Sequence, residues 1–280
     1  MEREKAPICD GFAFIEGPRW YDDALWFSDM HGEAVYRVVP GSAPERVVAV
    51  PQRPSGLGWL PNGDLLIASM LDRQVLRFTG SEALLPYADL STIAERRIND
   101  MLVDSQGRAW VGNFGFDLSS GEPVMPGTLA RVDSDGSVHA AADDLLFANG
   151  MTLLSKESVL VVAETFKGCL TAFDISAESE LINRRVWAAL PEGAAPDGIC
   201  ADAEGAIWVA SPTTGSVLRL GEGGGVLDSI DTGRQAIACA LGGPEGDTLF
   251  VSSAVATERQ ACREALTARI DAYRVLVPVA

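Results

Sequence analysis

Histidine is almost missing from this chain, with two in 280 residues. His31 and His139 are too few for the triads or dyads on which histidine-based catalysis depends. His139, after Ser137-Val138, reads as a surface residue of an outer strand. Cysteine is also sparse. Cys9, Cys169, Cys200, Cys239 and Cys262 are scattered, odd in number and without CxxC spacing. This argues against a disulfide framework and against a zinc cluster, and buried free thiols are expected. No apolar run approaches the roughly 20 residues needed to cross a bilayer. The segment from Met1 to Asp10 is charged and has no signal-peptide core, so a cytoplasmic location with no membrane partner is expected. Positive charge is in deficit, with 22 Lys and Arg against 39 Asp and Glu, a formal net charge of −17. Such a chain repels phosphate backbones, which argues against nucleic acid as a partner, and draws cations toward its surface.

A hydrophobic content of 47% is enough for a sizeable core, and six copies of one short segment organise it. They are Leu25-Trp-Phe-Ser-Asp29, Leu65-Leu-Ile-Ala-Ser69, Ala109-Trp-Val-Gly-Asn113, Leu160-Val-Val-Ala-Glu164, Ile207-Trp-Val-Ala-Ser211 and Leu249-Phe-Val-Ser-Ser253, starting 40, 44, 51, 47 and 42 residues apart. Each runs apolar for three positions, then small, then polar, as a buried strand would. A turn signal precedes each, such as Pro61-Asn-Gly-Asp64 or Asp104-Ser-Gln-Gly107, and a further alternating run follows. Strands recurring at this interval six times predict an all-β, six-bladed β-propeller in a single domain covering 1–280. The blades fall roughly at 16–53, 54–96, 97–147, 148–195, 196–235 and 236–280, with 8–15 closing the last one. A β-sandwich is the alternative, and the shared register in every unit argues against it. Phe114 to Pro126 reads as a loop inserted over one face.

The first strand of each unit opens on its own motif: Glu16-Gly17-Pro18, Ser55-Gly56-Leu57, Asn99-Asp100-Met101, Asn149-Gly150-Met151, Asp197-Gly198-Ile199 and Ala238-Cys239-Ala240. Innermost strands begin beside the axis, so these positions ring the channel mouth. Four of the six, Glu16, Asn99, Asn149 and Asp197, are oxygen donors. Facing one another, two acids and two amides make the all-oxygen site that hard cations prefer. The last residues of the returning strands, Asp29, Ser69, Asn113, Glu164, Ser211 and Ser253, are expected to form a second polar ring. Taken singly, Asn149-Gly and Asp197-Gly are ordinary turn dipeptides, and Glu16 could be a loop acid. Their shared repeat position is what favours the metal reading.

Glu16-Gly-Pro-Arg-Trp20, Arg97-Ile-Asn-Asp100, Asn149-Gly-Met151 and Pro196-Asp-Gly-Ile199 resemble, in this order, the regucalcin/gluconolactonase/luciferin-regenerating-enzyme family. The resemblance spans roughly residues 10–275 and implies a six-bladed propeller with one divalent metal, many members being sugar lactonases. It implies Glu16, Asn149 and Asp197 as metal ligands, and Arg97, Asn99 and Asp117 as substrate contacts. Asp197 would double as general base. Met101 departs from the glycine the family often has there. Asn113-Phe-Gly-Phe-Asp117 is more aromatic than a polar sugar requires, so Phe114 and Phe116 either pack or line a pocket for a less polar ring.

The expected activity is therefore metal-dependent hydrolysis of a small lactone, of sugar type or a related cyclic ester. Calcium is the first choice of metal, with zinc, manganese or magnesium as alternatives, and a carboxylate assists the attacking water. Two other readings stand beside it. One is a metal-free acid–base propeller catalysing a condensation or isomerisation, with Glu164 as the channel acid. The other is a non-catalytic binding propeller that keeps the metal as a clip. His31, on the site face, is a possible pocket residue. A small lactone is the expected partner, and the chain is expected to be a monomer or weak homodimer.

Overall fold

The computed structural model describes residues 5–80 and 83–279. Their strands form six four-stranded antiparallel sheets, and the sheets are the blades of a six-bladed β-propeller. The inner strands are Ile15–Tyr21, Pro54–Trp59, Ile98–Val103, Ala148–Leu154, Ile199–Ala201 and Gln235–Gly242. The repeated apolar segments are the second strands of each blade, Ala24–Asp29, Leu65–Ser69, Ala109–Asn113, Val159–Glu164, Ile207–Ser211 and Thr248–Ala254. Most of their side chains are buried on both faces because each blade is covered on both sides by neighbours. That is why they read as continuous apolar runs rather than alternating ones.

Core side chains lie at the seams between blades. Val35, Leu57 and Ile67 join blades one and two, and Leu66, Met101 and Val111 join two and three. Trp110, Met151 and Val162 join three and four. Each such side chain, fully buried, contributes about 1.5–3 kcal/mol. On the face away from the site, acids fasten the hairpin turns. Asp104 accepts from the Gln106 and Arg108 backbone N–H groups, and Asp202 from those of Glu204 and Ala206.

The ring closes through the chain's beginning. Lys5–Phe12 pairs antiparallel with Ala268–Arg274 and completes blade six from outside. The closing strand thus lies a few residues earlier than the expected 8–15, and Ile15 already belongs to the inner strand of blade one.

Glycine sets how tightly the inner strands gather. A Cβ on Gly56 would lie 2.0 Å from the Met101 nitrogen, one on Gly150 2.5 Å from the Asp197 carbonyl oxygen, and one on Gly198 2.3 Å from the Ala238 Cβ. Gly56, Gly150 and Gly198, each following a ring residue, are therefore there for close approach of the next blade, not for a turn. The pairing also corrects one motif. Leu57, Met101, Met151 and Ile199 sit opposite the third residue of their partner segments, and in blade six Cys239 does so, opposite Val251. The blade-six motif is therefore Ile237-Ala238-Cys239, one residue earlier than its sequence suggests, and its ring position is apolar.

Candidate active site at the propeller mouth

A cavity of ≈ 580 Å³ opens at the mouth of the channel, with Glu16, Asn99, Asn149 and Asp197 as its floor. Four inner strands from four blades bring these residues together, and all four are buried. Asn99 Nδ2 donates to Asn149 Oδ1 at 3.0 Å, and Asn149 Nδ2 donates to Thr165 Oγ1 at 3.1 Å. Thr165 in turn donates to the Pro196 carbonyl at 2.8 Å. This chain of bonds fixes both amides.

The two acids are relieved only in part, Glu16 by the Gly17 N–H and Arg19 and Asp197 by Asn149. Glu16 is pushed well above the ordinary carboxylate range by burial and then by the charges of Asp197 and Asp100. Asp197 is pushed up to about 8 by burial and Asp100, eased only by the neighbouring Asn149 amide. Asp197 Oδ1 is buried without a hydrogen-bond partner, and an orphaned carboxylate oxygen in such a place is costly. Two carboxylates and two amides, all oxygen donors, fit a hard divalent cation, which would neutralise the acids and occupy that oxygen. Among the described residues no group of three or more His, Cys, Asp or Glu side chains is placed to hold a metal, so a cation here would depend on the two amides as well as the two acids.

Beneath the floor, Arg19 crosses from blade one to blade three. It donates to Asp100 Oδ1 at 3.0 Å and to the Met101 carbonyl at 2.8 Å. Asp100 stands where other blades carry glycine or alanine, so its carboxylate must go into the channel, and Arg19 meets it there. Both residues lay within quoted motifs, and the break in the glycine rule was the available signal.

Above the floor the walls are apolar: Phe14, Met30, Met70, Phe114, Phe147 and Phe166. Phe114 and Phe147 stack with centroids 4.1 Å apart. Phe114 lines the cavity, while Phe116 is buried behind it against Phe147 and Phe166. The inserted loop does lie over this face and contributes Leu118 and Ser119. The rim carries Arg53, Arg97, Arg259 and His31. Arg97 is held by Asp117 at 3.0 Å and by Ser119 Oγ at 2.7 Å. His31 donates from Nε2 to the Thr257 carbonyl at 3.3 Å, and burial holds its pKa below the ordinary imidazole range.

Three expectations are corrected here. Asp117 is not among the residues that line the cavity: it caps the short turn Leu118–Ser120 and grips Arg97. Glu164 does not line it either. Its carboxylate is fully enclosed, where it accepts from Leu146 N at 2.9 Å and pairs with Lys167 at 3.0 Å, with Thr171 a third partner. Burial alone would raise its pKa, but these bonds outweigh burial and leave it below the ordinary range. The second polar ring does not form around the site. Asp29 caps Phe14 N and Gly32 N, and Asn113 binds Gly115 N and the Thr128 carbonyl, so these residues tie loops down. Sequence reasoning missed Arg53 and Arg259. Arg53 holds the repeat position of Arg97, two residues before the ring residue, and that match was the available signal, whereas Arg259 opens the helix Arg259–Ala265, which lies outside the repeat.

Fold and floor together define a propeller with an oxygen-donor cage at one mouth. Residues 14–255 match the SMP-30/Gluconolactonase/LRE-like region, and the chain belongs to that family. It is 27% identical to a 6-deoxy-6-sulfogluconolactonase of Pseudomonas putida over 94% of this chain and 91% of that protein. A pentonolactonase of Haloferax volcanii is 26% identical over 85% of this chain and 81% of its own length. Among solved structures, luciferin-regenerating enzyme superposes with a TM-score of 0.85 at 20% identity, covering 99% of this chain and 97% of that one. A calcium-binding regucalcin from Agrobacterium tumefaciens does so with a TM-score of 0.83 at 19% identity, covering 100% and 96%.

Proposed function

We propose that this cage opens a small lactone, of sugar type or a related cyclic ester, with one divalent cation held by Glu16, Asn149 and Asp197. The chain is a lactonase by family, alongside relatives named for sugar-lactone hydrolysis. The observation that carries the finer reading is the Asp197 Oδ1 atom, buried and unpartnered at the floor of the cavity beside a second buried acid. Calcium is the first choice, because the donors are all oxygen and a structural relative is a calcium-binding protein. Zinc, manganese and magnesium are the alternatives.

When bound, such a cation supplies Lewis-acid polarisation of the ester carbonyl. The remaining work falls to the chain. Arg97, braced by Asp117 and Ser119, orients the substrate ring by donating to its oxygens. The Asn99 amide, fixed by Asn149, positions the ester. Asp197, at the floor beside the cation, would take a proton from the attacking water. Water adds at the carbonyl carbon, the ring C–O bond breaks, and the alkoxide leaves with a proton as the alcohol of a hydroxy acid. The Phe and Met walls limit competing water and strengthen polar contacts at the floor.

Acid release from a panel of sugar, aliphatic and aromatic lactones tests this. It would be followed with a pH indicator after chelation and after return of each of the four cations. Turnover that vanishes with chelator and returns with a cation is expected. Full turnover of a metal-stripped protein would overturn the metal assignment. We further propose that the protein acts in the cytoplasm as a monomer or weak homodimer. Its unpaired cysteines and net charge of −17 support that placement and the absence of a nucleic-acid partner.

A further inference from the structure

Three arginines stand at the rim of a cavity in a strongly acidic protein. Two are committed. Arg97 pairs with Asp117 at 3.0 Å, and Arg259 pairs with Glu33 at 2.7 Å, an acid that Arg263 also reaches at 3.4 Å. Glu258, the acid on the rim itself, caps the helix Arg259–Ala265 by accepting from Ala261 N at 3.0 Å. Arg53 has no such partner. Among the described residues its guanidinium makes no hydrogen bond or ion pair, and its Nε is buried. Its backbone sits at φ 66, a conformation that L side chains seldom adopt, at the head of the blade-two inner strand. Burial, and then the charges of Arg259 and Arg97, work against its charged form, and Glu33 offsets them only in part. His31 gives no relief: its Nε2–H goes to the Thr257 carbonyl, and its Nδ1 is buried without a hydrogen-bond partner.

An unpaired guanidinium facing a cavity is a seat for an oxyanion, which it binds through two parallel N–H bonds. The same cavity is lined by Phe14, Met30, Met70, Phe114, Phe147 and Phe166. None of them can answer the hydroxyls of a polyhydroxylated ring. The cavity thus sets six large apolar side chains beside its polar floor and its arginines.

We propose that the lactone taken here carries a second, anionic group (a carboxylate or sulfonate) on an apolar body, with Arg53 receiving that group at the rim. This deepens the lactonase reading and rests on it. Hydrolysis adds one water across the ring ester and leaves the second acid untouched, so the product is a hydroxy acid bearing two anionic groups.

The test uses the metal-loaded protein with γ-butyrolactone bearing a carboxymethyl arm, its sulfonate counterpart and its neutral primary amide. At least one acid should exceed the amide in kcat/KM by about tenfold or more, and the better acid identifies the native oxyanion. In Arg53→Gln that ratio should collapse toward one, and Arg53→Lys should keep part of it. Equal turnover of acids and amide, or a preference that survives Arg53→Gln, overturns the proposal and leaves the lactonase reading standing. If none of the lactones turns over, calorimetry with the ring-opened dicarboxylate decides. Binding about tenfold weaker in Arg53→Gln supports the anion seat while the lactonase reading falls, and equal binding overturns the seat as well.

Discussion

At the scale of single residues, Asp197 and Glu164 are two buried acids with opposite environments and opposite expected roles. Asp197 has an orphaned oxygen and a pKa pushed upward, and Asp197→Asn should lower both cation affinity and kcat/KM by more than about a hundredfold. That bound follows because outer-shell changes alone cost metal sites about 10–100-fold. Cation content and lactone turnover measured on one preparation check it, and full activity in the variant would remove Asp197 from the chemistry. Glu164 is satisfied on all sides, so Glu164→Gln should cost about 1–3 kcal/mol in urea unfolding while kcat stays unchanged. A kcat loss without a stability loss would revive the metal-free channel-acid reading. Because its folded-state pKa is lowered, the stability that Glu164 adds is complete above the ordinary glutamate value of about 4.3 and is lost as pH falls through the lower folded value. The gap in stability between wild type and variant should therefore narrow as the medium is acidified below about pH 4.3. Glu16, Asn99, Asn149 and Asp197 could be found in the sequence because they share one repeat position. The same logic misplaced Glu164, since a residue's place in a repeat does not say which way local hydrogen bonds will turn its side chain.

At the scale of elements, the inner strands are held at a separation only glycine permits. Gly150→Ala puts a methyl group 2.5 Å from the Asp197 carbonyl oxygen and 2.6 Å from the Ile199 nitrogen, neither of which can swing aside. A loss of about 1–3 kcal/mol is expected from such overpacking, with a displaced Asp197 weakening cation binding as well. Urea midpoints and a cation titration of the variant check both effects, and an unchanged midpoint would show the strands free to spread. The second strands were plain in the sequence because both faces of a blade are covered. The blade-six register was not, because Ala238, Cys239 and Ala240 are all small or apolar and no polar residue marks the ring position. The rim was legible only in part: Arg53 shares the repeat position of Arg97, but Arg259 opens a helix inserted in blade six and answers to no repeat.

At the scale of the whole molecule, one short strand shuts the circle. Lys5–Phe12 runs along Ala268–Arg274, with Lys5 3.1 Å from Asp271. Deleting residues 1–12 leaves that outer edge bare. It should lower stability by a few kcal/mol, a large part of the roughly 5–15 kcal/mol typical of a folded domain, and promote association through the open edge. Urea unfolding and light scattering on the truncated chain would show this, and an unaltered midpoint would mean the ring holds without its latch.

The Arg19–Asp100 pair that bridges blades one and three beneath the floor has a consequence for traffic. Neither residue is among those that line the cavity, and we expect the axial bore to behave as a blind alley rather than a through passage. Whatever enters from the rim must back out by the same door. The opened hydroxy acid and the next lactone therefore exclude one another, and progress curves should slow through purely competitive inhibition by product.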